Sequence, residues 1–236
     1  MSTMQYTGVI FDLDGTLLDT IADIARAMNR VLKAHDLPQH PREAYYHMVG
    51  WGLEETVRRA VPEEQSSPEL IQQCYAEAVT AYQEAPVVET RPYDGIPELL
   101  RALRERDVRT AVLSNKQEEL ARVIVDAVLG CELFEVVRGA RDGVPKKPDP
   151  QSALETAAAL GCRPHEVVLV GDSEIDVATA RAAGMTAAAV SWGFSEPAAL
   201  AEAQPEVMLQ APDDLLSIVG HDGADRLVSQ HTAKKA

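Results

Sequence analysis

Two aspartates one residue apart, Asp12 and Asp14, directly follow the apolar run 9–11. Such a run is typical of a strand buried on both faces, and Gly15 permits a sharp turn after it. Two carboxylates at a strand end need a cation, a proton or several hydrogen bonds. The spacing predicts a nucleophile or metal ligand at Asp12 with an acid/base partner at Asp14. The alternative is a simple Asx turn at the strand end.

Two later positions carry residues suited to binding an anion. Ser114 and Asn115 follow the apolar run 108–113 and would offer a hydroxyl and a backbone N–H before a helix, although a serine there can be only a helix cap. Lys147 lies in Lys146-Lys147-Pro148-Asp149-Pro150, where the prolines can direct one lysine inward. An exposed loop is the alternative, but two adjacent lysines in a chain with so few of them favour function.

A second acidic pair, Asp172 and Asp176, follows the apolar run 167–170. The two side chains share a helix face, and like charges repel at this spacing unless a cation lies near them. A helix with acidic residues at its positive end is the alternative.

These positions together predict one phosphate site with a metal ion. The expected oxygen ligands of a hard cation are three carboxylates, those of Asp12, Asp14 and Asp172. Mg²⁺ suits such a set best, because it takes carboxylates, a backbone carbonyl, waters and a phosphate oxygen. Asp176 is expected behind these ligands. The predicted contacts to the phosphate come from Ser114, the Asn115 N–H and Lys147.

The order of predicted elements brings these strand ends to one edge. Strands are predicted at 108–113, 134–138, 167–170 and 186–191, alternating with helices at 96–106, 116–128, 151–160 and 175–183. This alternation predicts an α/β fold with a doubly wound parallel sheet, which binds ligands at the carboxyl ends of its strands. An edge strand at 207–209, a last helix at 213–219 and a polar tail beyond His221 complete the prediction.

The stretch between the first two strands is much longer than one helical crossover requires, and all of it is helical in pattern. Asp19 or Thr20 can cap a first helix, and further helical segments are predicted at 42–49, 53–60 and 69–84. An α-helical cap domain inserted at residues 19–87 is therefore predicted. It separates core segments 1–18 and 88–236.

The motifs resemble those of the haloacid dehalogenase superfamily of phosphatases, in order and over essentially the whole chain. They are Asp12-Leu13-Asp14-Gly15-Thr16, Ser114, Lys147-Pro148 and Gly171-Asp172-Ser173 through Asp176. The resemblance implies a central first strand, a sheet order of 5-4-1-2-3 and a helical cap. It also implies that Asp12 attacks phosphorus and forms an aspartyl-phosphate, and that Asp14 protonates the leaving oxygen and then activates water. Lys147, Ser114 and Mg²⁺ would neutralise the transferring group.

Within the superfamily the chain is most similar to phosphoglycolate phosphatases. The phrases that carry the likeness are Val49-Gly50-Trp51-Gly52, Lys146-Lys147-Pro148-Asp149-Pro150, Arg91-Pro92-Tyr93 and Trp192-Gly193-Phe194. Gly50, Trp51 and Gly52 are predicted to form a cap loop that closes on the substrate, or alternatively a hairpin turn with Trp51 in the cap core. The carboxylate of such a substrate needs a cation or N–H donors, for which the candidates are Arg42, Arg58 and Arg91.

Four alternative functions are weighed from the sequence. A sugar-phosphate mutase of the β-phosphoglucomutase type would use the same aspartyl-phosphate, and a phosphatase could instead act on another small phosphate or pyrophosphate. Phosphonate cleavage would need a Schiff-base lysine from the cap, where Lys33 is the one candidate. A non-catalytic binding module would be expected to lack one of the motif residues, and none is missing.

The net charge and the cysteine content limit the kinds of partner and compartment that are expected. The formal net charge of −15 argues against nucleic acid or an anionic membrane, but not against a small phosphorylated substrate held by local cations. Three scattered cysteines predict free thiols. The absence of a signal peptide and of a membrane-length apolar run predicts a cytoplasmic protein, as a monomer or homodimer.

Overall fold

The computed structural model describes residues 6–219. The predicted polar tail beyond His221 lies outside them. The strands are β1 (Gly8–Phe11), β2 (Leu18–Asp19), β3 (Arg91–Pro92), β4 (Arg109–Gln117), β5 (Val136–Ala140), β6 (Val167–Gly171), β7 (Thr186–Val190) and β8 (Val207–Leu209). The α-helices are α1 (Ile21–Ala34), α2 (Leu53–Ala60), α3 (Pro68–Glu84), α4 (Ile96–Glu105), α5 (Glu118–Val128), α6 (Gln151–Ala159), α7 (Glu174–Ala183) and α8 (Pro197–Ala203). Short 3₁₀ helices lie at Arg42–His47, Glu63–Gln65, Cys131–Leu133, Pro164–Glu166 and Pro212–Ser217.

A six-stranded parallel sheet forms the core, in the order β5-β4-β1-β6-β7-β8. Strand β1 is central, and all four of its residues are buried. Val9 and Phe11 pack into one apolar cluster, while Ile10 packs into another on the opposite face. The predicted α/β class with a doubly wound sheet and a central first strand is therefore confirmed, and 207–209 is the additional edge strand.

Helices α1, α2 and α3 lie between β2 and β3, which pair as a short antiparallel ribbon with Leu18 opposite Pro92 and Asp19 opposite Arg91. The chain therefore enters and leaves this helical part side by side. The sequence missed the ribbon because two-residue strands carry no periodic signal. The predicted cap boundaries, residues 19–87, stay a prediction.

Asp23 on α1 binds the segment 88–90, where the chain returns from the helical part. Its carboxylate accepts hydrogen bonds from the backbone N–H groups of residues 88–90, at 2.9–3.3 Å, and from the Thr90 hydroxyl at 2.7 Å. It is fully buried and also contacts Arg26 at 2.9 Å. These bonds to the charged form outweigh burial and lower the pKa of Asp23 to about 2.

Several boundaries differ from the predicted ones. Strand β4 continues to Gln117, where it pairs with Ala140 after a register irregularity, so the next helix begins at 118 rather than 116. Strand β5 lies two residues later than predicted, and the last predicted helix is a 3₁₀ helix over Pro212–Ser217. Thr20 precedes α1, but its hydroxyl donates to Asp14 instead of capping the helix.

The three cysteines are free thiols, as predicted. Within residues 6–219, no helix is both long enough and apolar enough to cross a membrane.

Candidate active site

The loop after β1 places Asp12 and Asp14 at the carboxyl end of the central strand. The Asp12 N–H still donates to Val170 on β6, at 2.8 Å, so Asp12 continues the strand direction. Gly15 then adopts a φ of +87°, and its N–H donates to the Leu18 carbonyl at 2.9 Å. This tight turn separates the two carboxylates, which have different partners.

Asp12 lies against a buried lysine. The Nζ of Lys147 is 2.9 Å from Asp12 Oδ1 and 2.6 Å from Asp176 Oδ1. Lys147 is 4% exposed, whereas the neighbouring Lys146 is exposed. Of the predicted pair, Lys147 is therefore the lysine that points inward. The two carboxylates raise the pKa of Lys147 despite its burial, so the lysine stays charged.

Three carboxylates meet at this point. Asp12, Asp172 and Asp176 each contribute an oxygen, and these oxygens all lie within 4.8 Å of one another. Asp172 accepts from the Phe194 N–H at 2.7 Å and from the Thr16 hydroxyl at 3.3 Å. Asp176 accepts from the Ser173 hydroxyl at 2.6 Å, in the capping box of α7, as well as from Lys147.

The charge balance of this cluster favours a cation. Burial raises the pKa of Asp12 to about 7, with Asp176 and Asp14 adding to the shift and Lys147 opposing it. Burial, together with Asp12 and Asp176, raises the pKa of Asp172 well above its usual range. One lysine cannot compensate three buried carboxylates, so the donor set fits a hard divalent ion with oxygen ligands. Asp12 and Asp172 are the candidate ligands, because Lys147 contacts only Oδ1 of Asp12 and the one contact at Oδ1 of Asp172 is the long one from Thr16, at 3.3 Å.

Asp14, which the sequence predicted as a third ligand, directs its carboxylate elsewhere. Its Oδ1 accepts from the Thr20 hydroxyl at 2.6 Å and from Lys116 Nζ at 2.7 Å. Asp176 takes its place in the carboxylate cluster. Metal binding through the Asp14 carboxylate stays a prediction that this geometry does not support.

The sequence did not single out Lys116, although it stands directly after Ser114 and Asn115 in a lysine-poor chain. It is 8% exposed. Its Nζ also donates to the Tyr82 hydroxyl at 3.1 Å and lies 4.6 Å from the centre of that ring. Burial raises the pKa of Tyr82 to about 12, so the phenol stays protonated. Lys116 thus joins Asp14 of the core to α3 of the cap.

Ser114 and Asn115 lie at the same edge, and both are buried. The Ser114 hydroxyl accepts from the Lys116 N–H at 3.1 Å. The Asn115 side chain exchanges hydrogen bonds with the backbone of Lys147, at 2.9 and 3.1 Å, and donates to the Gly50 carbonyl at 2.9 Å. Asn115 therefore ties the lysine loop and the cap loop together. Donation from its backbone N–H to a phosphate stays a prediction.

The predicted cap loop touches the core. Gly50 and Gly52 have φ values of +105° and +91°, and a Cβ on Gly52 would lie only 3.1 Å from the Asn115 carbonyl. Both glycines line the cavity over the carboxylates, whereas Trp51 is 37% exposed on the outer side. The alternative that buries Trp51 in the cap core is wrong. Selection of the substrate by this loop stays a prediction.

The cavity between cap and core measures about 70 Å³. From the core it is lined by Asp12, Asp14 and residues 114–117, and from the cap chiefly by Tyr46, Leu53 and Tyr82. Tyr46 also packs on Phe194, with ring centres 5.4 Å apart. Among the described residues that line it, Lys116 is the one with a cationic side chain.

The other candidate cations lie away from this cavity. Arg42 and Arg91 both face Asp19, at 3.1 and 3.9 Å. Arg58 pairs with Glu54 and Glu55 on the outer surface of α2. Lys33 is exposed in the last turn of α1, which gives a Schiff-base role no support.

Comparisons with known proteins identify the family. A family model described as haloacid dehalogenase-like hydrolase matches residues 9–190. The chain is 32% identical over 212 residues to a phosphoglycolate phosphatase of Aquifex aeolicus, covering 89% of this chain and 95% of that one. It is also 32% identical over 224 residues to an N-acetylmuramic acid 6-phosphate phosphatase of Pseudomonas aeruginosa, covering 93% and 97%.

A crystal structure from Lactobacillus delbrueckii subsp. bulgaricus has the same fold, with a TM-score of 0.86 and 29% identity. The match covers 92% of this chain and all of that one. The motif resemblance is therefore confirmed by the matched family model, by relatives above 30% identity and by a shared fold. This chain belongs to the haloacid dehalogenase-like hydrolases.

Proposed function

We propose that this hydrolase is a Mg²⁺-dependent phosphatase that acts on a small organic phosphomonoester, with 2-phosphoglycolate as the first substrate to test. The observation that carries the proposal is the separation of the two aspartates. Asp12 forms an ion pair with Lys147 within the carboxylate cluster. Asp14 forms an ion pair with Lys116 and accepts a hydrogen bond from Thr20 at the cavity wall. The two carboxylates can therefore have different roles.

Asp12 is the proposed nucleophile. Lys147 contacts its Oδ1, so Oδ2 can form the new bond to phosphorus while the bond to the ester oxygen breaks. The product of this step is an aspartyl-phosphate and the free alcohol. Lys147 and Ser114, both buried at the same edge, would offset the charge of the transferring group.

Asp14 is the proposed acid and base. Both of its hydrogen bonds end on Oδ1, which leaves Oδ2 to carry a proton. In the first step it gives that proton to the ester oxygen. In the second step it removes a proton from water, which attacks phosphorus, releases inorganic phosphate and regenerates Asp12.

Asp12 and Asp172 would hold the Mg²⁺ ion, with Asp176 oriented behind them by Ser173 and Lys147. When bound, the ion would supply positive charge that lowers the repulsion between the carboxylates and the incoming phosphate. Asp12 would then ionise more readily at neutral pH.

Two observations support a small substrate acid. The relatives named above include a phosphoglycolate phosphatase, at 32% identity. The cavity over the carboxylates measures only about 70 Å³, which suits a compact molecule.

A phosphate-release assay tests the proposal, with 2-phosphoglycolate, a panel of sugar phosphates, nucleotides and pyrophosphate, each with Mg²⁺ and with EDTA. We expect release with Mg²⁺, little with EDTA, and none from Asp12→Asn, which should unfold at nearly the wild-type temperature. Undiminished release by Asp12→Asn would refute the nucleophile. Isomerisation of a sugar phosphate without phosphate release would favour a mutase.

A further inference from the structure

Three consecutive core residues contact the cap through their side chains. Asn115 donates to the Gly50 carbonyl at 2.9 Å, Lys116 donates to the Tyr82 hydroxyl at 3.1 Å, and Gln117 donates to the Tyr75 hydroxyl at 2.8 Å. The extension of β4 beyond the predicted strand end therefore forms one wall of the cavity, and Lys116 is at its centre.

Lys116 has the position and the charge needed to bind an anionic group of the substrate other than the phosphate. It is charged, because Asp14 and the Tyr82 oxygen raise its pKa in spite of burial. Lys147, the other buried cation of the site, is shared by the carboxylates of Asp12 and Asp176, whereas Lys116 faces the single carboxylate of Asp14 and the neutral Tyr82 hydroxyl and has a third N–H to donate. A second acid group in the cavity would meet Lys116 and, among the described lining residues, no other cationic side chain.

The contact between Lys116 and Asp14 also limits how far such an acid group can be from the ester oxygen. An acid at Asp14 must lie within hydrogen-bond reach of the ester oxygen, and Lys116 Nζ is 2.7 Å from Asp14 Oδ1. Since the proton is on Oδ2, the ester oxygen then lies within about two hydrogen-bond lengths, plus the width of one carboxylate group, of Nζ. A carboxylate on the carbon bonded to the ester oxygen has an oxygen roughly 3 Å from it, by ordinary bond lengths, which brings the carboxylate to Nζ.

We infer that Lys116 recognises the carboxylate of the substrate and selects phosphate esters of 2-hydroxy acids. This inference rests on the proposed phosphatase function and narrows its substrate class. Lys116 donates to the substrate carboxylate while Asp14 donates to the ester oxygen of the same molecule. Esters whose acid group is further from the ester oxygen must fix more rotatable bonds to bring it to Nζ. Uncharged esters leave the buried ammonium with only its contacts to Asp14 and Tyr82.

The test compares 2-phosphoglycolate with ethyl phosphate, which carries a methyl group in place of the carboxylate. We expect the wild-type enzyme with Mg²⁺ to prefer 2-phosphoglycolate in kcat/KM by about 10- to 100-fold, the usual effect of one charge-assisted hydrogen bond. Lys116→Met should lower both rates, because it also removes a contact of Asp14. It should lower the rate with 2-phosphoglycolate further, so that the preference disappears. Lys33→Met, at an exposed lysine in the last turn of α1, should keep the preference.

Binding provides a second readout without turnover. In an Asp12→Asn background, calorimetric titration should show the same preference for 2-phosphoglycolate, and its loss in the double variant with Lys116→Met. Lys116→Gln, which keeps a polar side chain, serves as a second variant should Lys116→Met fail to fold.

The possible outcomes distinguish recognition by Lys116 from the phosphatase activity itself. Equal losses for both substrates in Lys116→Met would make Lys116 a positioning residue for Asp14 and overturn its role in recognition. A wild-type enzyme that hydrolyses both esters without preference would overturn it as well. A wild-type enzyme that releases phosphate from neither ester, nor from any ester of the panel, would instead refute the proposed phosphatase.

Discussion

The Nζ of Lys147 lies between Asp12 and Asp176, at 2.9 and 2.6 Å; Lys147 and Asp176 are buried, and the Asp12 side chain is 13% exposed. One lysine therefore joins the end of β1 to the first turn of α7. Because these groups come from distant parts of the chain, the site and the central packing of the core stabilise each other. Breaking such a buried pair leaves charges without partners.

Removing this lysine should destabilise the protein. Lys147→Met leaves two buried carboxylates uncompensated, and we expect a loss of about 3–5 kcal/mol in the free energy of unfolding. Urea denaturation in EDTA measures it. Lys146→Met changes an exposed residue and should stay within about 0.5 kcal/mol of wild type. Similar losses in the two variants would mean that the inward lysine contributes nothing specific.

Mg²⁺ should stabilise the folded protein through Asp172. Binding to the native state raises the free energy of unfolding by about 2.7 kcal/mol when the free ion is at 100 times its Kd. Asp172→Asn should abolish this rise. In EDTA the same variant should be at least as stable as wild type, because burial raises the pKa of Asp172 and so disfavours its charged form. Calorimetric Tm values with and without Mg²⁺ measure both effects.

The control for this experiment is Asp126→Asn, at an exposed position of α5. It should keep the full Mg²⁺ response. A Mg²⁺-dependent rise in Tm that persists in Asp172→Asn would place the ion elsewhere.

The glycine after Trp192 should be required for the position of Asp172. A Cβ on Gly193 would lie 2.2 Å from the Asp172 Cβ and 2.6 Å from the Gly15 carbonyl. Gly193→Ala must displace one of these groups, so we expect a cost of about 1–3 kcal/mol and a reduced Mg²⁺ response in Tm. Thermal unfolding with a Mg²⁺ titration measures both.

Gly184→Ala is the control for Gly193→Ala, because it strains the backbone without bringing a Cβ against a neighbouring side chain. Gly184 has a φ of +68° but nothing within 4 Å of an added Cβ. Its replacement should cost about 1 kcal/mol through the backbone and leave the Mg²⁺ response unchanged. If both variants responded to Mg²⁺ like the wild type, the close contact of Gly193 with Asp172 would not matter for the site.

The strands and their polar ends could be predicted because the information is local. The apolar run 9–11 is buried on both faces, and the residues that follow it must face the ligand edge of a parallel sheet. The same reasoning placed Ser114, Lys147 and Asp172 at that edge. The three strand ends converge because β1 lies between β4 and β6.

The contacts of Lys116 could not be predicted, because its partners are far away in sequence. Asp14 is 102 residues before it and Tyr82 is 34 residues before it. The extension of β4 to Gln117 depends on pairing with Ala140 in the neighbouring strand, whereas local pattern ended the strand at Ser114. Tertiary pairing, not local propensity, decided both features.

The Asp23 carboxylate accepts hydrogen bonds from the backbone N–H groups of residues 88–90, where the chain leaves the helical part. Asp23→Asn replaces one acceptor oxygen by a donor that faces those N–H groups. The shift of the Asp23 pKa from 3.8 to about 2 corresponds to about 2 kcal/mol. We expect at least this loss in the free energy of unfolding at pH 7, measured by urea denaturation.

The contribution of Asp23 to the free energy of unfolding should decrease as the pH falls. Because the folded pKa of Asp23 is depressed, the unfolded chain binds the proton more tightly, and stability from this group is present above the unfolded pKa near 3.8. It is lost as the pH falls from about 4 through about 2. The difference between wild type and Asp23→Asn should therefore be constant from pH 5 to 8 and shrink in acid. Asp142→Asn, at an exposed position, should show no such difference. A wild-type advantage that did not shrink below pH 4 would mean that the backbone N–H groups do not depend on the Asp23 charge.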